Sequence, residues 1–263
     1  MPNEHHDHPL RQPCYGVDAP AFPALTGAVG AACCLAAARW RPAWRGRAAV
    51  AAVGSAVLAS TGVYLHTTLH GKLSIWEREL DRIELQGDER LLDLGCGRGA
   101  VLIQAARRLP RGQAHGVDLW SGKDQSGNNP EATRDNAAAG GVADRVELHT
   151  ADMTALPFED GSFDVVTSAL AIHNIPTRGA RHRAVDEAMR VLRPGGLLVV
   201  ADFWWAVKEY AAHLDRARPG HPDSGAGRQP TTVRPLGPGY WYGGPWFAVS
   251  LLRAVKESPT AAA

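Results

Sequence analysis

Three glycines at every second position follow a short apolar run and are the residues whose spacing most clearly implies chemistry. The apolar run 91–94 is followed by Gly95, Gly97 and Gly99, and a helix-forming stretch, 100–109, comes directly after these glycines. This order predicts a buried parallel strand, a tight turn and a helix whose N-terminus faces whatever lies over the turn. Glycines there permit positive φ and close approach of a ligand to the backbone. The free N–H groups and the positive helix end favour an anionic or hydrogen-bond-accepting group.

The spacing of these residues indicates which ligand the turn binds. A dinucleotide-binding turn has the pattern G-x-G-x-x-G, whereas this one reads G-x-G-x-G, with Asp93 two residues before the first glycine. A carboxylate adds little to pyrophosphate binding but attracts an ammonium group, so the ligand should carry an amino acid end. This points to S-adenosylmethionine. Asp118 lies at the end of the next predicted strand, where an acid accepts hydrogen bonds from both ribose hydroxyls.

Composition and cysteine usage argue against several classes of protein. The 263 residues include 28 Lys and Arg against 27 Asp and Glu, so no global basic field indicates a nucleic-acid partner. The four cysteines have neither the pattern of a disulfide framework nor the spacing of a zinc site. His5, His6, Asp7 and His8 could chelate a metal, but no second cluster completes a site, and we therefore expect no metal.

Two uncharged apolar runs precede the glycine turn. They cover residues 19–38 and 48–70 and are joined by a turn, 39–47, that is rich in arginine and tryptophan. Each run is long enough to cross a bilayer as a helix, and tryptophans suit the membrane interface. We therefore expect a helical hairpin over 19–70 that binds membrane lipid, after a disordered tail over 1–18. An Ala-rich soluble hairpin is the alternative, because alanine is barely favourable in lipid.

The arginines of the connecting turn conflict with a simple topology. The positive-inside tendency places that turn in the cytoplasm. A two-span hairpin would then put the following domain outside, away from cytosolic S-adenosylmethionine. We give the cofactor more weight and expect the catalytic domain in the cytoplasm, associated with the membrane. Whether the hairpin spans the bilayer or only dips into it stays open.

From residue 71 to residue 263 the chain alternates between strand and helix patterns and then changes to a strand pair around an aromatic loop, 237–246. The predicted strands cover 91–94, 113–119, 145–150, 163–168, 197–201, 231–236 and 247–255. Such alternation implies a parallel α/β sheet with right-handed crossovers. Ligands then gather at the carboxyl ends of the strands.

These motifs resemble those of the class I S-adenosylmethionine-dependent methyltransferases, most closely the group around the ubiquinone/menaquinone-biosynthesis methyltransferases. The motifs that carry the resemblance are LLDLGCGRG at 91–99, GVD at 116–118, ADM at 151–153, LPF at 156–158, FDVV at 163–166 and RPGG at 193–196. The resemblance implies a Rossmann-like seven-stranded sheet with helices on both faces, an antiparallel final strand and methyl transfer from a sulfonium. The hairpin and the loop 124–129 lie outside the pattern common to that group. We therefore do not extend the quinone-type substrate of the group to this chain.

The resemblance also implies which residues hold the cofactor. Asp93 and the glycine turn would hold the methionine part, Asp118 the ribose and Asp152 the adenine. The predicted cofactor-binding residues are Asp93, Gly95, Cys96, Gly97, Gly99, Asp118, Leu119, Asp152, Met153 and Ser168.

The loop after the fourth strand and the aromatic loop are predicted to form the acceptor site. His173 is the candidate base for an acceptor that must lose a proton, with Asn174 beside it as a hydrogen-bond donor; a purely structural histidine is the alternative. Aromatic side chains among glycines and prolines suit an apolar or planar acceptor, or else complete the core. The predicted substrate-binding residues are Asp124, Asn128, His173, Tyr240, Trp241 and Trp246.

The sequence therefore predicts a methyltransferase that uses S-adenosylmethionine and acts on a small apolar or aromatic acceptor at a membrane surface. O-methylation of a phenol or carboxylate is favoured. The alternatives are N- or C-methylation of a lipid or quinone-like acceptor, an aminopropyltransferase on the same fold, and a membrane-tethered protein that holds the cofactor without catalysis.

Overall fold

The computed structural model describes residues 12–39, 44–217 and 231–257. The strands are β1 (Arg90–Leu94), β2 (Gln113–Asp118), β3 (Val146–Thr150), β4 (Phe163–Ala169), β5 (Leu192–Phe203), β6 (Thr232–Pro235) and β7 (Val249–Val255). The helices are α1 (Ala21–Arg39), α2 (Trp44–His66), α3 (Lys72–Asp81), α4 (Leu102–Arg107), α5 (Pro130–Ala139), α6 (Arg178–Val191) and α7 (Trp204–Ala217).

All seven strands form one sheet in the order β3-β2-β1-β4-β5-β7-β6. The strands from β1 to β5 pair in parallel, whereas β7 runs antiparallel to both β5 and β6. The chain leaves β1 toward β2 and β3 on one side and returns to β4 and β5 on the other. This reversal opens a crevice at the carboxyl ends of β1 and β4, where ligands bind in such sheets.

Apolar side chains on both faces of the sheet explain why its central strands are buried. Leu91 packs with α3 and α4 in one core cluster, whereas its neighbour Leu92 packs with α6 and α7 in another. Val199 and Leu198 of β5 divide between the two clusters in the same way, because successive side chains of a strand point to opposite faces. The predicted Rossmann-like, seven-stranded sheet with helices on both faces is thus confirmed.

Helices α1 and α2 form the hairpin expected from the two apolar runs, and small residues let them pack closely. A Cβ added at Gly30 would lie 2.8 Å from Leu58 Cγ, and one added at Gly54 would lie 2.8 Å from Cys34 Sγ. Thr61 donates a hydrogen bond of 2.9 Å to Thr26 across the pair. Close backbone approach at small residues is typical of helices that associate in lipid.

The hairpin surface is apolar and mostly exposed. Leu25, Val29, Leu35 and Val53 have exposed fractions of 65%, 47%, 52% and 58%. Helix α1 and the helical stretch Arg45–Asp81 are long and apolar enough to cross a membrane by length and composition, with only 17% of each apolar window buried.

The hairpin joins the sheet through an unbroken helical segment. The π-helical turn Thr67–Gly71 connects α2 directly to α3. A Cβ at Gly71 would overlap the carbonyl oxygen of Gly239, so glycine permits the aromatic loop to lie against the turn. Trp76 of α3 is buried and its indole N–H donates a hydrogen bond of 3.2 Å to Tyr240. The hairpin is therefore fixed to the domain and is not a loosely tethered arm.

The prediction of a disordered tail over residues 1–18 is wrong for residues 12–18. Residues 1–11, including the three tail histidines, lie outside the described residues, but residues 12–18 lie against the domain. The Cys14 N–H donates a hydrogen bond of 2.8 Å to Asn136, and the Val17 N–H donates one of 2.8 Å to Ser126. Side-chain acceptors in and after the loop 124–129 satisfy these backbone groups, which holds the segment in place.

Candidate active site

A cavity of about 650 Å³ lies over the carboxyl ends of the central strands. Its floor includes Asp93 of β1, Asp118 of β2 and Ala169 of β4. Residues of α3, of the hairpin base and of the aromatic loop, which in the structure covers 237–247, form one wall. The cavity is therefore at the place that the strand order implies.

The glycine turn after β1 has the backbone conformation that its sequence predicts. Gly95, Gly97 and Gly99 have φ values of 69°, 50° and 85°, a region that other residues enter only with strain. The Gly95 N–H donates a hydrogen bond of 2.8 Å to the carbonyl of Val117 in β2. A Cβ at Gly95 would overlap the Cβ of Ala171. The first glycine thus allows the loop after β4 to close against the turn.

Asp118 connects the glycine turn to the loop that follows β2. Its Oδ2 accepts a hydrogen bond of 2.8 Å from the Gly97 N–H. Its Oδ1 accepts one of 2.5 Å from the Trp120 N–H and one of 3.2 Å from the Asn128 amide. Each carboxylate oxygen has more than one acceptor position, so Oδ2 can take a further donor from a ligand. The carboxylate is held rigidly at the cavity edge.

Asp93 is a buried carboxyl group on the cavity floor, with an exposed fraction of 2%. Burial raises its pKa to about 7, and the neighbouring Asp118 charge adds to the effect, while a hydrogen bond of 2.8 Å from Thr167 opposes it. A cation beside this group would favour its ionised form. Its position and its raised pKa therefore fit a ligand that presents a positive charge.

The loop 124–129 closes over the glycine turn from the other side. Gln125 Oε1 accepts a hydrogen bond of 2.7 Å from the Arg98 N–H, and its amide donates one of 3.2 Å to Asp18. Asp124 lines the cavity, and its carbonyl accepts a hydrogen bond of 2.8 Å from the Ala19 N–H. The loop therefore ties the turn to the segment that leads into the hairpin.

His173 lies in a single helical turn, Ile172–Asn174, directly after β4. Leu170, with φ of 54°, redirects the chain into this turn, and its N–H donates a hydrogen bond of 2.8 Å to Ala201 of β5. A non-glycine residue in this region carries strain, which proteins often retain at functional sites. The turn thus brings His173 to the cavity wall.

A buried acid lies against the imidazole of His173. Nδ1 lies 2.8 Å from Oδ1 of Asp202, which is fully buried near the end of β5. Asp202 also accepts hydrogen bonds from the His173 N–H at 3.1 Å and from the Tyr210 hydroxyl at 3.2 Å. Burial and the Asp202 charge raise the pKa of Tyr210, so its hydroxyl stays a donor. This short contact is not aligned as a hydrogen bond, since Nδ1 has no hydrogen-bond partner among the described residues. The Asp202 carboxylate beside Nδ1 still favours a proton on that nitrogen, which leaves Nε2 for proton transfer.

The central part of the chain matches a known family. Residues 92–200 match the model described as a methyltransferase domain. This chain carries a methyltransferase domain. The resemblance to class I methyltransferases that the sequence motifs predict is thereby confirmed, and the motifs from Asp93 to the RPGG turn fall within the matched residues.

Curated relatives match about half of this chain. The 27-O-demethylrifamycin SV methyltransferase of Amycolatopsis mediterranei is 37% identical over 127 residues, which are 48% of this chain and 43% of that protein. The ubiquinone/menaquinone biosynthesis C-methyltransferase UbiE of Roseobacter denitrificans is 36% identical over 49% of this chain and 48% of its own length. The chain thus matches only about half the length of these relatives.

Solved structures share the fold of the methyltransferase domain at low identity. A geranyl diphosphate methyltransferase in complex with SAM has a TM-score of 0.53 and 20% identity, over 76% of this chain and 90% of that one. The geranyl diphosphate C-methyltransferase of Streptomyces coelicolor, in complex with Mg²⁺, geranyl diphosphate and S-adenosyl-L-homocysteine, has a TM-score of 0.52 and 19% identity, over 72% and 81%. These likenesses show the fold alone.

The methyltransferase domain brings most of the predicted site residues to one cavity. Those that line it are Asp93, Gly95, Cys96, Gly97, Asp118, Leu119, Asp124, Asn128, Asp152, Met153, His173, Asn174 and Tyr240. The remaining four predicted residues lie outside its lining. They are Gly99, Ser168, Trp241 and Trp246.

Packing explains why these four residues do not reach the cavity. Ser168 is fully buried and its hydroxyl donates a hydrogen bond of 2.9 Å to Leu94 within the sheet. A Cβ at Gly99 would lie 2.8 Å from Ile103 Cδ1, so this glycine allows α4 to pack closely. Trp246 is 63% exposed, and the Trp241 carbonyl accepts a hydrogen bond of 2.7 Å from Thr67. In the aromatic loop, Tyr242 and Phe247 face the cavity instead.

Sequence reasoning missed a polar cluster at the cavity roof. Lys72 Nζ lies 2.7 Å from Oδ1 of Asp18, and the Tyr242 hydroxyl donates a hydrogen bond of 2.6 Å to Oδ2. The Tyr64 hydroxyl donates one of 2.8 Å to the Asp18 carbonyl. These residues come from three separate parts of the chain, the segment before α1, the continuous helix α2–α3 and the aromatic loop, so their spacing in sequence carries no signal. Asp202 was also missed, although an acid at a strand end is the same signal that identifies Asp118.

A second cluster of titratable side chains lies away from the cavity. His115 Nδ1 lies 3.3 Å from His149 Nε2, and Glu147 oxygens lie 3.6 and 3.4 Å from these two nitrogens. Burial lowers the pKa of His115 to about 4, so its ring is neutral at physiological pH. Imidazoles and a carboxylate are transition-metal ligands, but hydrogen bonds within the cluster account for these distances equally well. Only the pairing of β2 with β3 brings the cluster together.

Proposed function

We propose that this chain binds S-adenosylmethionine and transfers its methyl group to a small acceptor at a membrane surface. The observation that carries the proposal is that Asp93, Asp118 and Asp152 line one cavity at the ends of three adjacent strands. Their order from β1 to β3 is the order in which the cofactor presents its ammonium, ribose and adenine groups. The fold likeness and the family match support this assignment.

The cavity has the size and chemistry that this ligand pair needs. Small-molecule sites typically enclose about 300–1,000 Å³, and the 650 Å³ found here suits a cofactor with a small acceptor beside it. Asp93 would pair with the ammonium group, because its carboxyl has no cationic side chain among its described hydrogen-bond partners. The three acids thus account for the polar ends of the cofactor, and the apolar wall is left for the acceptor.

The chain itself contributes alignment, exclusion of water and proton removal. S-adenosylmethionine, when bound, supplies a methyl group on a sulfonium that is already a good leaving group. The glycine turn and the loop after β4 fix the geometry and keep water out, which supplies much of the rate. His173 Nε2 removes the proton of the acceptor hydroxyl, and Asp202 keeps the ring in the tautomer that this requires. The His173–Asp202 pair therefore favours O-methylation of a hydroxyl or phenol.

Labelled cofactor tests the proposed reaction directly. The full chain in detergent or nanodiscs is incubated with a cell extract and with S-adenosylmethionine labelled either in the methyl group or in the carboxyl group. We expect the methyl label to appear in the acceptor and the carboxyl label to stay in S-adenosylhomocysteine. Cofactor that binds but yields no labelled product would indicate a non-catalytic binding protein. Turnover with decarboxylated cofactor alone would indicate an aminopropyltransferase.

We predict that affinity for S-adenosylmethionine rises with pH up to about 7. The free carboxyl of Asp93, with its pKa raised to about 7, is protonated below that pH. It must lose its proton to pair with the ammonium group. Below pH 7 the affinity should therefore fall by up to about tenfold per pH unit. Calorimetric titration between pH 5.5 and 7 measures this change. In that range the α-amino group of the cofactor stays protonated, because such groups lose their proton only near pH 8.

The variant Asp93→Asn is the control for this pH dependence. Asparagine keeps the shape of the side chain and can still accept the hydrogen bond from Thr167. It should bind more weakly at pH 7 and show a flat profile between pH 5.5 and 7. A flat profile in the unmodified protein would contradict the pairing of Asp93 with the ammonium group.

We also propose that the hairpin attaches the domain to the cytoplasmic face of a membrane. Its helices of 19 and 23 residues measure about 28 and 34 Å, close to the ~30 Å of a bilayer core. Full-length protein should sediment with membranes and resist carbonate extraction. Replacing the exposed Leu35 and Val53 together by lysine should release it, whereas Glu77→Lys on exposed α3 surface should not. Full-length protein that is soluble without detergent would refute the attachment.

A further inference from the structure

Three phenylalanine rings form a continuous path from the hairpin to the imidazole of the proposed base. Phe22 of α1 lies 6.2 Å from Phe247, Phe247 lies 5.8 Å from Phe203, and Phe203 lies 4.8 Å from His173, all between ring centroids. All four residues line the same cavity. We call this path the aromatic track. Its outer rings, Phe22 and Phe247, are 41% and 39% exposed.

The outer end of the track is fixed to the base of the hairpin. Phe22 is the second residue of α1, and its N–H donates a hydrogen bond of 2.9 Å to Ala19. Its ring lies 5.2 Å from that of Tyr64 near the end of α2. The ion pair between Asp18 and Lys72 holds the same corner. We call the exposed outer end of the track, at Phe22 and Phe247, the mouth of the cavity. A lipid phase that covers the apolar hairpin therefore reaches this mouth.

Exposed tryptophans flank this mouth. Trp204, Trp205 and Trp246 have exposed fractions of 42%, 41% and 63%, and the Trp204 indole donates a hydrogen bond of 3.4 Å to the carbonyl of Trp246. The ammonium of Lys208 lies 5.0 Å from the Trp204 ring centre. Tryptophan with an adjacent lysine is a typical combination at the level of lipid headgroups. These side chains indicate that the membrane surface passes beside the cavity mouth.

We propose that the acceptor is a membrane-dissolved amphiphile, an apolar ring or chain that bears a hydroxyl, and that it reaches His173 along the aromatic track directly from the bilayer. The inference rests on the proposed methyl transfer and names the acceptor class. An apolar molecule of this kind stays in a low-dielectric environment throughout its path. Its hydroxyl meets the imidazole only at the inner end. There the hydroxyl proton passes to Nε2, the oxygen forms a bond to the methyl carbon as the S–C bond of the sulfonium breaks, and S-adenosylhomocysteine leaves as a neutral thioether.

Photocrosslinking to lipid tests the position of the mouth without requiring turnover. p-Benzoylphenylalanine is placed singly at Phe22, Phe247, Val29 and Asp144 of the full chain, which is then reconstituted in phosphatidylcholine–phosphatidylglycerol vesicles. Val29 reports on the exposed middle of α1, and Asp144 is an exposed acid near β3. We expect lipid adducts at Phe22, Phe247 and Val29 and none at Asp144. Because Phe22 and Phe247 are partly exposed, these replacements should leave the fold intact, which circular dichroism checks.

Each other pattern of adducts overturns the inference in a distinct way. Adducts at Val29 alone mean that the hairpin enters the membrane but the cavity mouth faces water. No adducts at any position mean that the hairpin does not enter lipid, and the membrane route fails with it. Adducts at Asp144 equal to those at Phe22 mean non-specific adsorption of the whole domain.

Partition of the transferred label tests the acceptor class. Methyl-labelled S-adenosylmethionine is supplied with total membranes or with the soluble fraction of the same cells, and His173→Ala gives the background. We expect label in the organic phase of the membrane reaction. Label only in water-soluble products overturns the acceptor class while methyl transfer stands. No label in either fraction refutes the methyl transfer itself and this acceptor class with it, while the crosslinking result still reports the position of the mouth.

Discussion

Replacing Asp118 with alanine is expected to weaken S-adenosylmethionine binding by roughly 2–4 kcal/mol, or about 30- to 1,000-fold in Kd. The carboxylate would lose the hydrogen bond that its Oδ2 has room to accept from a ribose hydroxyl. It would also lose the hydrogen bond of 2.8 Å that fixes the Gly97 N–H in the glycine turn. Isothermal titration of the full chain measures the change.

A matched acid away from the cavity controls for general loss of negative charge. Asp144 has a side chain that is 76% exposed and lies 3.4 Å from Arg145 outside the cavity lining. Asp144→Ala should leave the affinity unchanged. Thermal melting of both variants shows whether the fold is kept. Unchanged affinity in Asp118→Ala would end the assignment of this acid to the ribose.

Replacing His173 with alanine is expected to lower turnover at least tenfold, which corresponds to about 1.4 kcal/mol of barrier, with cofactor affinity nearly unchanged. The imidazole removes the acceptor proton in the proposed step, and a positioned base contributes about 10²–10⁴-fold in such reactions. Single-turnover rates at saturating cofactor, together with the calorimetric Kd, separate the two effects.

Asp202 is a positioning residue in this scheme, and its variant gives a different readout. Asp202→Asn should keep the packing near Tyr210 but favour the wrong imidazole tautomer. It should therefore lower turnover and shift the pH–rate profile, whereas a purely structural acid would change stability without shifting the profile.

A second histidine–aspartate pair in the same domain provides the control. His213 Nε2 lies 2.7 Å from Asp186, with a side chain 19% exposed compared with 18% for His173, but outside the cavity lining. His213→Ala should leave turnover unchanged. If His173→Ala loses cofactor but keeps turnover at saturation, His173 belongs to the cofactor site. If neither quantity changes, the histidine is structural and the acceptor arrives already deprotonated.

The local part of the site follows from the sequence because its residues are close together in the chain. The spacing from Asp93 to Gly99 fixes a strand, a turn and a helix within a few residues, and its glycines have the positive φ that the pattern requires. The strand–helix alternation specifies a parallel sheet, and a parallel sheet places Asp118 and Asp152 at the same edge. No long-range information is needed for these steps.

Only the tertiary structure decides which side chains meet across the cavity. Asp202 reaches His173 because β5 lies next to β4, and Asp18 reaches Lys72 because the segment before α1 folds back over the glycine turn. In the aromatic loop, short helical turns set the side-chain directions, so no regular period shows that Tyr242 faces inward while Trp246 is exposed. Sequence spacing encodes contacts within a strand, turn or helix, whereas contacts between distant segments depend on how the packed elements share the core.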